Sequence, residues 1–227
     1  MRQVLSLGGS IVSLLDGLNL DFLKKFKRLI EDRVKHGDHF IIVVGGGSLA
    51  REYVKFANYL KRDIKKENQD YLGIYSTWLN AFLLKSIFGD LAYDKLVDDP
   101  SRKVKTNRPL IFSGGYQPGN SSDFVAVLLA ETYKIKTIVN LSNIDYVYDQ
   151  DPRKFKTARK IKNIDWSNFL KIIGTDWKPG MNAPFDPVAS LRCQKKDKKV
   201  IVLNGSNINN LKKYFSGENY RGTEIKN

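Results

Sequence analysis

The chain is poor in the residues from which metal centres and covalent frameworks are built. It has one cysteine, Cys193, so no disulfide can form within it and a cysteine-rich zinc site is excluded. Its two histidines, His36 and His39, are too few for a histidine-based centre and read as a solvated turn around Gly37. No apolar run approaches the roughly 18 residues that suggest a membrane span. The opening MRQVLSLGGSIVSLL is interrupted by Gly8 and Gly9 and lacks the long apolar stretch of a signal peptide, so a soluble cytoplasmic protein without a membrane partner is the expectation. Acidic residues are also in deficit, 24 against 38 Lys plus Arg, a net charge of +14 over 227 residues. Such an excess suits anionic partners. The basic residues fall in small groups, such as 24–28 and 61–66, that alternate with apolar ones at helical spacing. Solvated helix faces have this pattern, so nucleic acid is not an expected partner.

What is present is a globular composition, 42% apolar and 27% charged, with strand and helix patterns in alternation. Short β-branched runs at 4–7, 39–44, 109–112, 137–141 and 200–203 predict strands. Helical spacing predicts helices near 22–34, 48–62, 71–88 and 123–133. The first has Asn19 or Asp21 as a cap and Gly37 as its stop. The second carries Leu49, Tyr53, Phe56 and Leu60 on one stripe. Residues 63–69 read as a loop that Asp70 follows, and 143–199 as a polar segment. Helices between strands predict βαβ units, hence an α/β fold with a mainly parallel open sheet covered on both sides. We read residues 1–227 as one domain of two lobes, about 1–141 and 142–227.

Three of these strands end in tandem glycines: Gly8-Gly9, Gly45-Gly46-Gly47 and Gly114-Gly115. One such pair is an ordinary tight turn. Three along one sheet edge form a place where phosphate oxygens can approach backbone N–H groups and helix N-termini, because ligands bind beyond the carboxyl ends of parallel strands. That suits two nucleotides meeting phosphate to phosphate. The Walker A pattern is absent, since no Gly-Lys pair occurs. Residues 45–50 match GxGxxA, but on the second strand and without the acidic residue that a dinucleotide site needs on the next one.

The motifs GGS (8–10), VVGGGSLAREY (43–53), DYLGI (70–74), SGGYQPGNSSD (113–123), NLSNIDYVYDQDP (140–152) and GTEI (222–225) occur in the order of the amino acid kinase superfamily. Across nearly the whole chain the sequence resembles the archaeal type of uridylate (UMP) kinase within it. The resemblance implies a three-layer α/β/α sandwich and transfer of a phosphoryl group from ATP to UMP. It further implies that Gly9 and Ser10 hold ATP phosphates, that Gly46 faces the UMP phosphate and Gly47 the ATP side, and that Arg51 brings a guanidinium to both. Asp70 would accept the ribose hydroxyls of UMP. Tyr116, Gln117, Pro118, Gly119, Asn120, Ser121 and Ser122 would wrap the uridine and its phosphate. Ser142, Asn143, Tyr148 and Asp151 would bind the adenosine of ATP, and Asp123 would be the buried organising carboxylate. Ser10, Arg51 and Asp123 are the candidate catalytic residues. Mg²⁺ would ride on the phosphates with no protein-held metal site. A homohexamer built as a trimer of dimers is implied, and Phe22, Phe26, Tyr53, Phe56 and Tyr59 offer aromatic surface for its contacts. The alternatives on the same fold are another phosphate kinase, such as one for isopentenyl phosphate, or a non-catalytic nucleotide binder.

Local explanations stand beside these roles. Asp70 could cap the helix it precedes, and Asp123 could serve the helix dipole. Arg51 could be solvated, Tyr148 could be lobe packing, and Asp151-Pro152 only a turn. The chain also departs from its relatives. Ser6 stands where many superfamily members have a lysine, Pro184 where a GMxxK lysine falls, and Trp78 where archaeal relatives often have arginine.

Overall fold

The computed structural model describes residues 1–175 and 183–227. In chain order the elements are β1 (Arg2–Leu7), α1 (Gly9–Val12), β2 (Ser13–Leu14), β3 (Gly17–Leu18), α2 (Leu20–Lys35), β4 (His39–Val44), α3 (Gly47–Leu60) and α4 (Lys66–Phe88). There follow β5 (Leu110–Ser113), α5 (Ser122–Thr132), β6 (Thr137–Ser142), β7 (Val147–Tyr148), β8 (Lys160–Ile161), β9 (Asn163–Asp165), α6 (Trp166–Ile173), α7 (Pro187–Lys195), β10 (Lys199–Asn204), α8 (Ile208–Phe215) and β11 (Thr223–Lys226). Seven strands form one sheet in the order β5-β4-β1-β6-β10-β11-β9. Its pairs are parallel except β10 with β11.

The sheet is buried on both faces, which explains the near-continuous apolar strands. Alternate residues serve opposite cores. Leu5, Phe40, Ile42, Phe112, Val139 and Leu203 pack with α2, α4 and α8. Val4, Ile41, Val43, Ile138, Val200 and Val202 pack with α5, α6 and α7. This is the three-layer α/β/α arrangement. Asn19 caps α2 by accepting from the Phe22 amide at 3.2 Å, and Gly37 beyond its end has φ +85°.

Several expectations are corrected. Helix α4 begins at Lys66, so Asp70 lies inside it and does not cap it. The polar Lys-Glu-Asn-Gln stretch consists mostly of good helix formers, so polarity alone is a poor sign of a loop here. The expected stripe on α3 is an outer face: Tyr53, Phe56 and Leu60 are exposed, and within the helix Ser48 is the fully buried residue. Their stripe faces away from the core because α3 packs on α4 rather than on the sheet. Between β6 and β10, the segment read as polar contains β7, β8, β9, α6 and α7. Trp166, Phe169 and Leu170 make α6 amphipathic over only eight residues, too short a window beside so many lysines. The closing GTEI stretch forms β11, which fills the sheet between β10 and β9.

Candidate active site

The connection from β1 leads to β4 on one side, while β6 and β10 lie on the other. This is a topological switch point, where a crevice opens beyond the carboxyl ends of the strands. The glycine turns sit there, and the structure gives a reason for glycine that is independent of any ligand. A Cβ on Gly9 would fall 2.1 Å from Gly47 N, one on Gly45 2.6 Å from Gly9 N, and one on Gly47 2.3 Å from Gly9 O. Gly47 also has φ +65°, a conformation that disfavours side chains. The first two turns are therefore interlocked, backbone against backbone. Gly45 N–H donates to Leu7 O at 2.9 Å, and Asn80 Nδ2 from α4 donates to Gly45 O (2.9 Å) and Gly46 O (3.2 Å). The N-terminus of α3, whose N-cap Gly46 offers its first amides no side-chain cap, opens directly from this lock. Ser10 follows Gly9 inside α1 and is half-buried.

Asp123 stands in the first turn of α5, which Ser121 caps by accepting from the Phe124 amide at 3.1 Å. Its Oδ1 accepts from Ser6 Oγ at 2.7 Å and its Oδ2 from the Asp186 amide at 3.2 Å. Desolvation is the largest influence and pushes its pKa up to about 6; the Ser6 hydrogen bond opposes this and the Asp186 carboxylate adds to it. Asp186 caps α7 through the Ala189 amide at 2.6 Å, and burial raises its pKa too. Two carboxylates thus share this edge, and Ser6 answers one of them with a neutral hydroxyl. The Pro184 carbonyl accepts from Asn140 Nδ2 at 2.7 Å. The remaining GMxxK positions noted in the sequence, Gly180, Met181 and Asn182, lie outside the described residues.

The third glycine turn leads into the loop 114–121. Asp70 Oδ2 accepts from the Gly119 amide at 2.9 Å, so α4 and this loop meet at the residue assigned to the acceptor ribose. Tyr116, Pro118, Asn120, Ser121 and Ser122 are partly exposed around it, and Gln117 and Gly119 are exposed. Arg51 is the fifth residue of α3, at the start of its second turn. It is exposed and makes no hydrogen bond or ion pair among the described residues.

A separate cleft of about 500 Å³ gathers Ser142, Asn143, Tyr148 and Asp151 with Ile144, Tyr146 and Ile172. Tyr148 lies on its wall. Asp151 does build a turn, since its carbonyl accepts from the Lys154 and Phe155 amides, and its carboxylate is held in a fork by Arg153 at 3.0 Å to each oxygen. That fork holds its pKa below the ordinary carboxylate range. Asp151 is therefore both a turn residue and a cleft residue, with its charge already answered.

Sequence reasoning missed Asp186, Asn80 and Thr77. Asp186-Pro187 is the signature of a cap followed by proline at the first helical position, a signal that could have found it. Asn80 is a buried amide in an apolar helix, and only the fold reveals that it answers glycine carbonyls across 35 residues.

This is the architecture of a phosphoryl-transferring α/β protein, and the amino acid kinase family profile matches residues 1–204; the chain belongs to that family. Within it, the chain is similar to uridylate kinases of archaea. It is 31% identical over 222 residues to that of Sulfurisphaera tokodaii, covering 96% of each chain. It is 32% identical over 228 residues to that of Methanobrevibacter smithii, covering 99% of each. The solved uridylate kinase of Archaeoglobus fulgidus superposes with a TM-score of 0.83 at 33% identity, covering 99% of this chain and 100% of that one. An aspartate kinase from Synechocystis, 14% identical with a TM-score of 0.74, shares the fold.

The raised pKa of Asp123 has a consequence for stability. A carboxyl with a folded pKa of about 6 against 3.8 unfolded binds its proton more tightly when folded. Its stabilisation is present below pH 4 and is lost as pH rises through 6. Asp123→Asn should therefore lose less stability between pH 4.5 and 7.5 than the unliganded wild type does, by on the order of 2 kcal/mol in urea unfolding. Parallel pH profiles for the two proteins would contradict the burial of this charge.

Proposed function

We propose that the protein transfers the γ-phosphoryl group of ATP to UMP, yielding ADP and UDP for pyrimidine nucleotide synthesis. A UMP phosphate oxygen attacks the γ-phosphorus, and the bond to the β,γ-bridging oxygen breaks. UMP is largely a dianion at neutral pH, its second pKa being about 6, so no strong general base is needed. The work is positioning and charge stabilisation. The observation that carries the reading is the interlocked glycine edge, flanked by the Asp70–Gly119 loop on one side and the 142–153 cleft on the other. The similarity to uridylate kinases over nearly the full chain supports it.

In this reading the half up to about residue 141 carries UMP and the half from about 142 carries ATP. Gly9, Ser10 and Gly47 serve the ATP phosphates, and Gly46 serves the UMP phosphate. Asp70 and residues 116–122 hold the uridine nucleoside; Ser142, Asn143, Tyr148 and Asp151 hold the adenosine. Arg51 reaches both phosphate groups. Asp123 orients the edge through Ser6 and the Asp186 amide. Mg²⁺ would be carried on the phosphates and would supply charge neutralisation there; both Asp123 oxygens are engaged by Ser6 and the Asp186 amide, so its ligands would come from phosphate and water. A cytoplasmic setting follows from the substrates, and none of the described helices is long and apolar enough to cross a membrane.

Self-association belongs to the same reading, in its fullest form a trimer of dimers. Phe22 and Phe26, expected on a contact face, instead stack on each other in the core at 5.2 Å. An exposed apolar surface is formed by Tyr53, Phe56 and Tyr59 on α3, continued by Tyr75, Leu79 and Phe82 on the adjoining α4. So many large apolar side chains on two packed helices suit a second copy of the chain. Light scattering at micromolar concentration should give at least a dimer mass; a monomer would contradict it.

ADP release coupled to UMP, measured beside isopentenyl phosphate and N-acetylglutamate, tests the activity: UMP should be the acceptor that turns over, and a blank rate with UMP would refute it. In the same assay Arg51→Ala should lower kcat/KM by about 10²-fold or more and Arg51→Lys recover only part, because an ammonium lacks the two-pronged geometry. A value for Arg51→Ala within about threefold of wild type would remove Arg51 from the site.

A further inference from the structure

The start of the acceptor loop is fastened to α4 by two consecutive side chains. Gly115 N–H donates to Thr77 Oγ1 at 2.5 Å, and Gly115 C=O accepts from Trp78 Nε1 at 2.8 Å. Both polar groups of one peptide residue are therefore taken by one helix. The Thr77 hydroxyl spends its own proton on Ile74 O at 2.6 Å, so toward Gly115 it can only accept. The indole N–H can only donate, which matches the carbonyl it meets. The approach is close: a Cβ on Gly114 would lie 2.7 Å from Thr77 Oγ1 and 3.0 Å from Trp78 Cδ1. The tandem glycine thus admits the helix at this turn.

Farther along, the same loop is fastened to the same helix again, where Gly119 N–H donates to Asp70. Asp70 and Thr77 are about two turns, or roughly 10 Å, apart on α4. One rigid helix therefore sets both anchor points of the loop.

We propose that Thr77 and Trp78 are positioning residues for the phosphoryl acceptor. They fix the Gly115 peptide so that residues 116–122 and the Asp70 carboxylate face the nucleotide in one register. Neither touches the ATP cleft, whose lining comes from residues 142–153, 172–173 and 183–184. Their effect should therefore fall on one substrate. The inference rests on the reading of UMP as acceptor and adds to it the device that holds the acceptor loop.

The test is steady-state kinetics of the full chain as wild type, Thr77→Val, Thr77→Ser and Trp78→Phe, varying UMP at saturating ATP and ATP at saturating UMP. Thr77→Val keeps the shape and loses the acceptor; Trp78→Phe keeps an aromatic ring and loses the donor. Each should raise KM for UMP about tenfold, the scale of one lost hydrogen bond that leaves its partner unsatisfied, while KM for ATP stays within about twofold. Thr77→Ser, which keeps the hydroxyl, should restore most of the UMP affinity. Equal rises in both KM values, an unmoved KM for UMP, or no rescue by serine would overturn the proposal. If Thr77→Val does not fold, the half-buried Trp78→Phe decides the matter through the split between the two KM values. A wild type that does not turn over UMP would overturn the acceptor reading and this inference with it; turnover with unchanged variants overturns this inference alone.

Discussion

Gly9 and Gly47 meet backbone to backbone, and the rest of the site depends on that contact. A Cβ on either glycine would lie within 2.3 Å of the other's backbone. The turns after β1 and β4 can therefore occupy this place only as glycine turns, and only together. The parallel register that pairs Leu7 with Val44 brings them to the same height on the sheet edge. Once there, the lock aims the start of α3 at the crevice and seats Gly45 and Gly46 under Asn80. In the proposed reading this edge receives phosphates, and such a cradle must not relax when charge moves through it, because preorganised dipoles stabilise charge without reorganising. Backbone interlock supplies that rigidity with no side chain between the turns.

The electrostatics of the edge follow from what stands behind the lock. Asp123 is held by a serine hydroxyl and a backbone amide, and the neighbouring carboxylate, Asp186, is buried as well. Ser6 and Pro184 bring no positive charge to this edge, so in the proposed reading the balancing cations come from the surface or with the nucleotide. In that reading the surface cation is Arg51, exposed on α3, and the overall charge of +14 favours the approach of polyanionic substrates. The Arg153–Asp151 fork differs: it is an internally neutralised pair that shapes the wall of the second cleft.

The parallel sheet was legible because its strands are buried on both faces and end in glycine; 39–44 and 137–141 needed no context. The cap of α5 was legible as one of two serines, of which Ser121 accepts from the Phe124 amide; the buried place of Asp123 was legible only through the family resemblance, since its local sequence says no more than first helical turn. The stripe on α3 was legible as a pattern but not as a direction, since periodicity shows that Tyr53, Phe56 and Leu60 share a face without saying whether the core or another surface covers it. The region from 143 to 199 was opaque because its elements are short and lysine-rich, and α7 is marked mainly by its cap. Least legible were the contacts joining distant segments: Asn80 to Gly45, Thr77 and Trp78 to Gly115, and Asp70 to Gly119. No local rule reports which carbonyl a buried amide will find.

In the proposed reading two nucleotides lie end to end across the glycine lock, UMP on the Asp70 side and ATP in the 142–153 cleft. Calorimetric titration with a single molecule joining adenosine and uridine through a pentaphosphate chain tests it most directly, because a bridge that spans both sites makes the second binding event intramolecular. One molecule should bind per chain, about 100-fold tighter than either UMP or ATP alone, with each nucleotide competing against it. Affinity no better than that of the tighter single nucleotide would contradict it.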